Sequence, residues 1–315
     1  MPDVPLASLT VMDAVAPLCS RRVLASVTLW LGGAMLAPGQ RPGTAVRRVL
    51  GQSADAHVQH SHRVLNRAPW AAFAASRRQL GLRLGVFGPE GPGGMGLDAT
   101  SERRRGERRS AQGSSRAPVR SSQAPVGKAS GVRGVCLLVL ARLPWGERGG
   151  ALPCRTVLAP AARCYQAQGR RPPAWRERAR PMGRWVRRWW PRRELGGVGD
   201  RTYAAREGRE AVRQRVGVST RWRLDAALST PAPPRTPKQH GRPRKQGRRR
   251  LTLAPWGAAP PTPWQLGTVA PWSGQQARRV PLPSATAGWE HAGLPPVPMR
   301  WGLSRAPTGT LAPQA

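Results

Sequence analysis

Residues 132–158 read Val132-Arg-Gly-Val-Cys-Leu-Leu-Val-Leu-Ala-Arg-Leu-Pro-Trp-Gly-Glu-Arg-Gly-Gly-Ala-Leu-Pro-Cys-Arg-Thr-Val-Leu158. The apolar run from Val135 to Ala141 and a shorter run at Val157 and Leu158 flank a connection rich in glycine. Two apolar runs around such a connection predict a β-hairpin. Because an isolated hairpin is only marginally stable in water, this one needs partners from elsewhere in the chain.

The composition of the whole chain argues against a large core. Leu, Val and Phe number 29, 24 and 2 among 315 residues and Ile is missing, so these residues make up about 17%. That fraction lies below the roughly 20% at which a high net charge predicts disorder. The chain also has 36 Gly, 34 Pro and a net charge of +37. We therefore expect it to be mostly intrinsically disordered, with at most short isolated helices, one β-hairpin and no single large core.

Changes in composition along the chain divide it into six segments. They are a signal-like apolar N-terminal segment (1–40), a basic, weakly helical region (41–88), a disordered linker (89–131), the small hairpin (132–170), an Arg- and Trp-rich region with a short helix (171–230) and a Pro-rich, basic, disordered tail (231–315).

The N-terminal segment has the features of a targeting signal. Arg21 and Arg22 precede an apolar stretch from Val23 to Ala37, which is too short to cross a membrane as a helix. The order Ser-Arg-Arg-Val-Leu resembles the opening of a bacterial twin-arginine signal. Export, a mitochondrial presequence and a chance apolar patch are all consistent with it. Without such targeting, the charge of the chain predicts a nuclear or nucleolar location in a eukaryote.

The sequence contains no recognisable catalytic motif. Most carboxylates alternate with arginines, as solvated ion pairs do, and the glycine-rich run from Gly91 to Gly96 lacks the strand and helix of a phosphate-binding loop. His57, His60 and His62 follow Asp55, and we interpret them as a solvated cluster rather than a metal site. We therefore expect no enzymatic activity, no metal and no cofactor.

A basic run from Lys238 to Arg250 is the strongest indication of a binding function. Its centre, Gly241-Arg-Pro-Arg-Lys245, resembles the core of an AT-hook, in which two arginines enter the minor groove of A·T-rich DNA. The resemblance implies that Arg242 and Arg244 are the inserted side chains. A localisation signal or a generic basic run would read in the same way. The candidate nucleic-acid-binding residues of this first patch are Arg242, Arg244, Lys245, Arg248, Arg249 and Arg250.

Residues 175–193 form a second patch in which Trp and Arg alternate. Arg187, Trp189 and Trp190 are its candidate binding residues, because indole rings stack on exposed bases while guanidinium groups contact phosphates. The same mixture of residues also binds anionic membrane surfaces. Pro181 and Pro191 are expected to limit any helix here to about two turns.

Three hypotheses of function follow from the sequence. The first is a disordered, Arg-rich polypeptide that binds RNA or DNA non-specifically through its charge. The second is a translated GC-rich reading frame without an evolved function, because Gly, Ala, Arg, Pro and Trp are encoded by GC-rich codons. The third is an exported or organelle-targeted basic protein. No specific protein partner can be inferred.

Overall fold

The structure is a computed structural model that describes most of the chain between residues 6 and 303. The described residues are 6–39, 41–54, 58–69, 71–88, 91–103, 111–116, 128–146, 149–173, 175–199, 216–222, 224–226, 228–235, 241, 244, 247–249, 252–253, 266–269, 278–281, 284–289 and 297–303. They fall into two compact units, Met1–Val86 and Phe87–Ala315, which we call the helical unit and the sheet unit.

The helical unit contains five α-helices and one short 3-10 helix among its described residues. The helices are α1 (Leu6–Val15), a 3-10 turn (Ala16–Leu18), α2 (Arg21–Leu36), α3 (Gly43–Val49), α4 (Val58–Asn66) and α5 (Ala72–Phe87). Gly33 of α2 lies directly against Val46 of α3, and a Cβ atom at Gly33 would collide with the backbone oxygen of Val46 at 2.9 Å. The absence of a side chain at this position therefore permits the close packing of the two helices.

The apolar N-terminal stretch predicted to be signal-like lies within α2. Ser20 caps this helix, since its hydroxyl oxygen accepts a hydrogen bond from the backbone N–H of Val23 at 3.5 Å. Within the part of the chain that the structure describes, no helix combines the length and the apolar character that crossing a membrane requires. The targeting role of this stretch stays a prediction.

The sheet unit is built around a mixed sheet of six strands. They are β1 (Gly93–Arg103), β2 (Gly113–Arg116), β3 (Lys128–Arg142), β4 (Gly149–Ala159), β5 (Leu195–Gly199) and β6 (Gly217–Thr220). The central strand β3 pairs antiparallel with β1 on one edge, and with β2 and β4 on the other. On the far side of β1 the sheet continues through β5 and β6, which run parallel to it.

Two helices accompany this sheet, α6 (Ala162–Gln166) and α7 (Trp175–Trp189). Met182 and Val186 lie four residues apart on α7 and are 0% and 1% exposed, so they form the apolar stripe of the helix. The guanidinium carbon of Arg155 lies 4.2 Å from the ring centroid of Trp185, and Arg155 pairs with Leu137 of β3. Helix α7 therefore covers the face of the sheet that carries Leu137, which we call the α7 face.

A second, three-stranded sheet lies in the same unit. Its strands are β7 (Leu228–Ser229), β10 (Ser284–Trp289) and β11 (Val297–Gly302), and a separate pair is formed by β8 (Leu266–Val269) and β9 (Arg278–Pro281). The ring centroids of Trp222 and Trp289 lie 4.2 Å apart in an edge-to-face arrangement. A cluster of buried residues forms the core here: Trp222, Leu228, Leu253, Ala287, Met299, Trp301 and Leu303.

The expectation of a mostly disordered chain with isolated elements is wrong. The hairpin of β3 and β4 is part of a six-stranded sheet in which β3 also pairs with β1 and β2, and β1 and β2 lie within the segment expected to be a linker. The estimate from Leu, Val and Phe alone missed the contribution of small residues, because glycines in β1 and β5 add backbone hydrogen bonds to the sheet without adding apolar side chains. The six segment boundaries drawn from composition stay a prediction.

The expectation of a helix of two turns near Pro181 is also wrong, because α7 runs through Pro181 for 15 residues. A proline inside a helix costs about 3 kcal/mol or more. Burial of Met182 and Val186 contributes about 1.5–3 kcal/mol for each side chain and offsets that cost.

Candidate functional site

Asp98 presents its carboxylate from the middle of strand β1. Successive side chains of a strand point to opposite faces of the sheet, so Met95 and Leu97 lie on one face and Asp98 and Thr100 on the other. Met95 is 4% exposed, whereas Asp98 is exposed. The strand therefore places Asp98 on the face opposite α7, which we call the Asp98 face.

The residues around Asp98 come from β3, which pairs antiparallel with β1, and from β4, which pairs antiparallel with β3. Cys136 of β3 pairs directly with Asp98 and shares its face, and Thr156 of β4 donates a hydroxyl hydrogen bond to the Cys136 Sγ at 3.3 Å. A Cβ atom at Gly134 would lie 2.9 Å from Cγ2 of Thr156 and 3.2 Å from Cγ2 of Thr100. The absence of a side chain at Gly134 thus leaves room for the side chains of Thr100 and Thr156.

The parallel pairing of β1 with β5 ends beside Asp98. The paired residues run from Gly93 with Leu195 to Leu97 with Gly199, so Asp98 is the first residue of β1 beyond the pair. Ligand sites in sheets with parallel strands lie at the carboxyl ends of those strands. In the sequence, Gly199 is followed by Asp200, which lies outside the described residues.

The described carboxylates do not form a metal-binding cluster. Among the described residues, no group of three His, Cys, Asp or Glu side chains is placed to hold an ion. Glu102 lies on the same face of β1 as Asp98, but four residues along a strand correspond to about 13 Å. Enzymes that use divalent ions hold them with clustered carboxylates, and the described residues of this chain do not fit such a group.

The histidines near Asp55 lie in the helical unit. His62 packs edge-to-face on Trp30, with ring centroids 5.3 Å apart. Asp55 and His57 lie outside the described residues. His62 is therefore held by an aromatic contact.

The first predicted binding patch adjoins the three-stranded sheet. Arg244, Arg248 and Arg249 are exposed, whereas Arg242, Lys245 and Arg250 lie outside the described residues. The carbonyl oxygen of Arg248 accepts a hydrogen bond from the backbone N–H of Thr230 at 2.9 Å, and Arg249 forms a β-bridge with Ser229. The backbone of the basic run is thus bound beside β7 while its described arginine side chains face solvent. Its role in binding stays a prediction.

The second predicted patch lies where α7 meets the start of β1. Trp189 and Trp190 are half-buried, and Arg187 donates from Nη1 to the carbonyl oxygen of Arg193 at 2.5 Å. Arg193 in turn lies over the Trp190 ring at 5.5 Å and donates from Nη1 to the carbonyl oxygen of Gly91 at 2.7 Å. The structure brings Arg187, Trp189 and Trp190 together, and their contacts also connect α7 to β1.

Among the arginines that the structure describes, Arg155 has a pKa that is shifted by its surroundings. Burial lowers the pKa of the Arg155 guanidinium, and the neighbouring Cys154 acts in the opposite direction. Arginine stays protonated at neutral pH, so Arg155 keeps its positive charge over Trp185 on the α7 face.

Asp98 was not among the candidate residues derived from the sequence. Gly91 to Gly96 reads as a loop, so the strand that positions Asp98 is not recognised. One pattern in the sequence does indicate a strand here, namely the alternation of apolar and polar residues from Met95 onward. Met95, Leu97 and Ala99 lie on one face of the strand, and Asp98 and Thr100 lie on the other.

Comparison with known proteins identifies one family. A family model described as DDE superfamily endonuclease matches residues 20–286, which is more than four fifths of the chain. No curated protein sequence is similar enough to count as a match. The family match overturns the hypotheses of a disordered non-specific binder and of a reading frame without function, and it overturns the expectation of no enzymatic activity.

Proposed function

The chain belongs to the DDE superfamily endonuclease family, and from this membership we propose that it cleaves phosphodiester bonds within DNA at a site centred on Asp98. The observation that carries the proposal is the position of this carboxylate. Asp98 is exposed on the Asp98 face, where the parallel pairing of β1 and β5 ends.

A carboxylate in this position has a direct chemical use. It accepts a hydrogen bond from a water molecule and takes up its proton as the water oxygen bonds to phosphorus, which is general base catalysis. The P–O bond to one DNA strand end breaks as the new bond forms, and the departing oxygen takes a proton from solvent. Thr100 and Thr156 lie on the same face as Asp98 and are exposed as well, so this part of the face is accessible to a DNA backbone.

We further propose that DNA is held by the positive charge of the chain. The net charge is +37, and Arg244, Arg248 and Arg249 are exposed. Contacts of this kind release counterions from DNA, so affinity should fall steeply as the salt concentration rises. The positive charge of the chain supports the proposal of DNA binding, and the position of Asp98 supports the proposal of DNA cleavage.

The test is a nicking assay on supercoiled plasmid DNA in magnesium buffer. Asp98→Asn should lower the nicking rate by at least about 100-fold, because a general base typically contributes 10²–10⁴-fold. Glu102→Gln is the matched control, because it removes the same charge from the same face of the same strand.

Two results would contradict the proposal. Equal rates for Asp98→Asn and Glu102→Gln would show that Asp98 has no special role. Nicking that persists unchanged in Asp98→Asn would identify a contaminating nuclease or a different site. Binding of the same plasmid, measured in parallel by gel shift, should be retained in both variants because each removes a negative charge.

A further inference from the structure

A cavity of about 250 Å³ lies at the end of the six-stranded sheet, away from Asp98. Its walls come from β2, the beginning of β3, the end of β4 and the segment that leads into α7. Most of the described lining residues are small, namely Gly, Ala, Ser and Pro. Because these side chains are short, the two long ones, Arg133 and Arg178, determine the chemistry of the cavity.

Both arginines reach the cavity from ordered elements. Arg133 lies near the beginning of β3, and Arg178 lies in the first turn of α7; each is half-buried. The Nε of Arg178 donates to the carbonyl oxygen of Pro173 at 3.4 Å, and its guanidinium carbon lies 5.4 Å from the Tyr165 ring centroid. Two contacts thus fix the Arg178 side chain before any ligand binds, which lowers the entropy cost of binding.

The charge of the cavity is positive. None of the lining residues that the structure describes is acidic. The neighbouring Glu177 carboxylate is bound by Arg171 Nη2 at 2.7 Å. Two like charges facing one cavity repel each other, and an anion between them removes that repulsion. The first turn of α7 adds the positive end of its helix dipole.

We propose that this cavity binds a terminal phosphate group of a nucleic acid chain. A terminal phosphate carries a charge of about −1.5 to −2 at neutral pH, which matches two guanidinium groups, whereas an internal phosphodiester carries only one negative charge. A volume of about 250 Å³ lies slightly below the roughly 300–1,000 Å³ of pockets that hold drug-sized ligands. It therefore has room for a phosphate and part of its sugar, but not for a base-paired duplex.

Recognition of a chain end goes beyond the proposed cleavage, because it requires neither Asp98 nor a cut. It can be measured with Asp98→Asn protein, which keeps the two experiments separate. Failure of the nicking assay would leave this proposal standing, and failure of end recognition would leave the nicking proposal standing.

The experiment compares single-stranded oligonucleotides of one sequence that carry a 5′-phosphate, a 3′-phosphate or hydroxyl groups at both ends. Their internal phosphates are identical, so attraction to the bulk charge of the chain cancels in the comparison. We expect about a tenfold preference for one phosphorylated end, as charge-assisted hydrogen bonds to a buried phosphate allow. Equal affinity for all three oligonucleotides in the unmodified protein would overturn the proposal.

Variants locate the preference in the cavity. The double substitution Arg133→Gln with Arg178→Gln should abolish it. The matched control, Arg163→Gln with Arg170→Gln, removes two exposed arginines that do not line the cavity and should keep it. A preference that survives in the cavity variant would place the bound phosphate elsewhere and overturn the proposal.

A third variant keeps the test decisive if the double variant does not fold. Arg178→Lys retains the charge and the aliphatic stem but cannot offer paired N–H groups to one phosphate. It should lower the preference several-fold, and an unchanged preference would refute the role of Arg178. Added inorganic phosphate should compete with the phosphorylated end, which shows that the phosphate group itself is recognised.

Discussion

Replacement of Met182 by alanine tests whether α7 is packed on the sheet. Met182 is 0% exposed and lies one turn from Val186, which is 1% exposed. Truncation of a fully buried methionine to alanine costs about 2–5 kcal/mol, the sum of lost apolar transfer and a residual cavity. For a folding unit of this size, about 3 kcal/mol lowers the melting temperature by roughly 6–12 °C.

The matched control is Met35→Ala. Met35 is also helical, but it is 62% exposed, so its truncation should change the free energy of unfolding by no more than about 0.5 kcal/mol. Thermal unfolding followed by far-UV circular dichroism measures both variants against the unmodified protein. Urea unfolding followed by tryptophan fluorescence gives an independent value, since Trp185 and Trp189 lie on the same helix.

Two outcomes would refute the reasoning. If Met182→Ala and Met35→Ala have the same melting temperature, α7 is not buried against the sheet. If the unmodified protein shows no cooperative transition, the disorder expected from composition is correct and the six-stranded sheet is not formed.

Two further substitutions test strand packing and charge. Gly131→Ala should destabilise the protein by about 1–3 kcal/mol, because its Cβ would collide with the backbone oxygen of Glu102 on β1. The control is Gly196→Ala, whose Cβ would have no atom within 4 Å beyond its own chain neighbours, so this variant should be neutral or slightly stabilising. Equal melting temperatures for the two variants would contradict this pairing of β1 and β3. Arg248→Gln combined with Arg249→Gln should make the dependence of DNA affinity on salt less steep. The slope of log affinity for duplex DNA against log salt concentration should fall in magnitude by about 2, since each lost phosphate contact contributes about 0.9. An unchanged slope would show that these arginines do not contact DNA.

The sequence reveals the central strands but not their neighbours. The apolar run of β3 is continuous because side chains on both faces of this strand are buried, Val135 and Leu137 on one face and Cys136 on the other, and that continuity is visible in the sequence. Strand β1 begins with Gly93 and Gly94, and β5 has glycines at three of its five positions; glycine has low intrinsic strand preference. The strand conformation of β1 is imposed by pairing with β3 and β5, and that of β5 by pairing with β1 and β6, a tertiary effect that no local pattern shows.

The candidate site was missed for the same reason. Asp98 looks like any other solvated carboxylate in an arginine-rich sequence. Its position depends on the register between β1 and β5, two strands about 100 residues apart in the chain. The basic patches, in contrast, are visible from composition, because clustering of arginine requires no knowledge of the fold.

The parallel pairing of β1 with β5 also has a consequence for synthesis of the protein. The ribosome completes β1 at Arg103 but reaches the end of β5 only at Gly199. At about 5–20 residues per second, roughly 5–20 seconds separate the two events. During that interval the hairpin of β3 and β4 can form locally, because its strands are adjacent in sequence. The strand that ends beside Asp98 is still missing, so a nascent chain carries the carboxylate without the completed site.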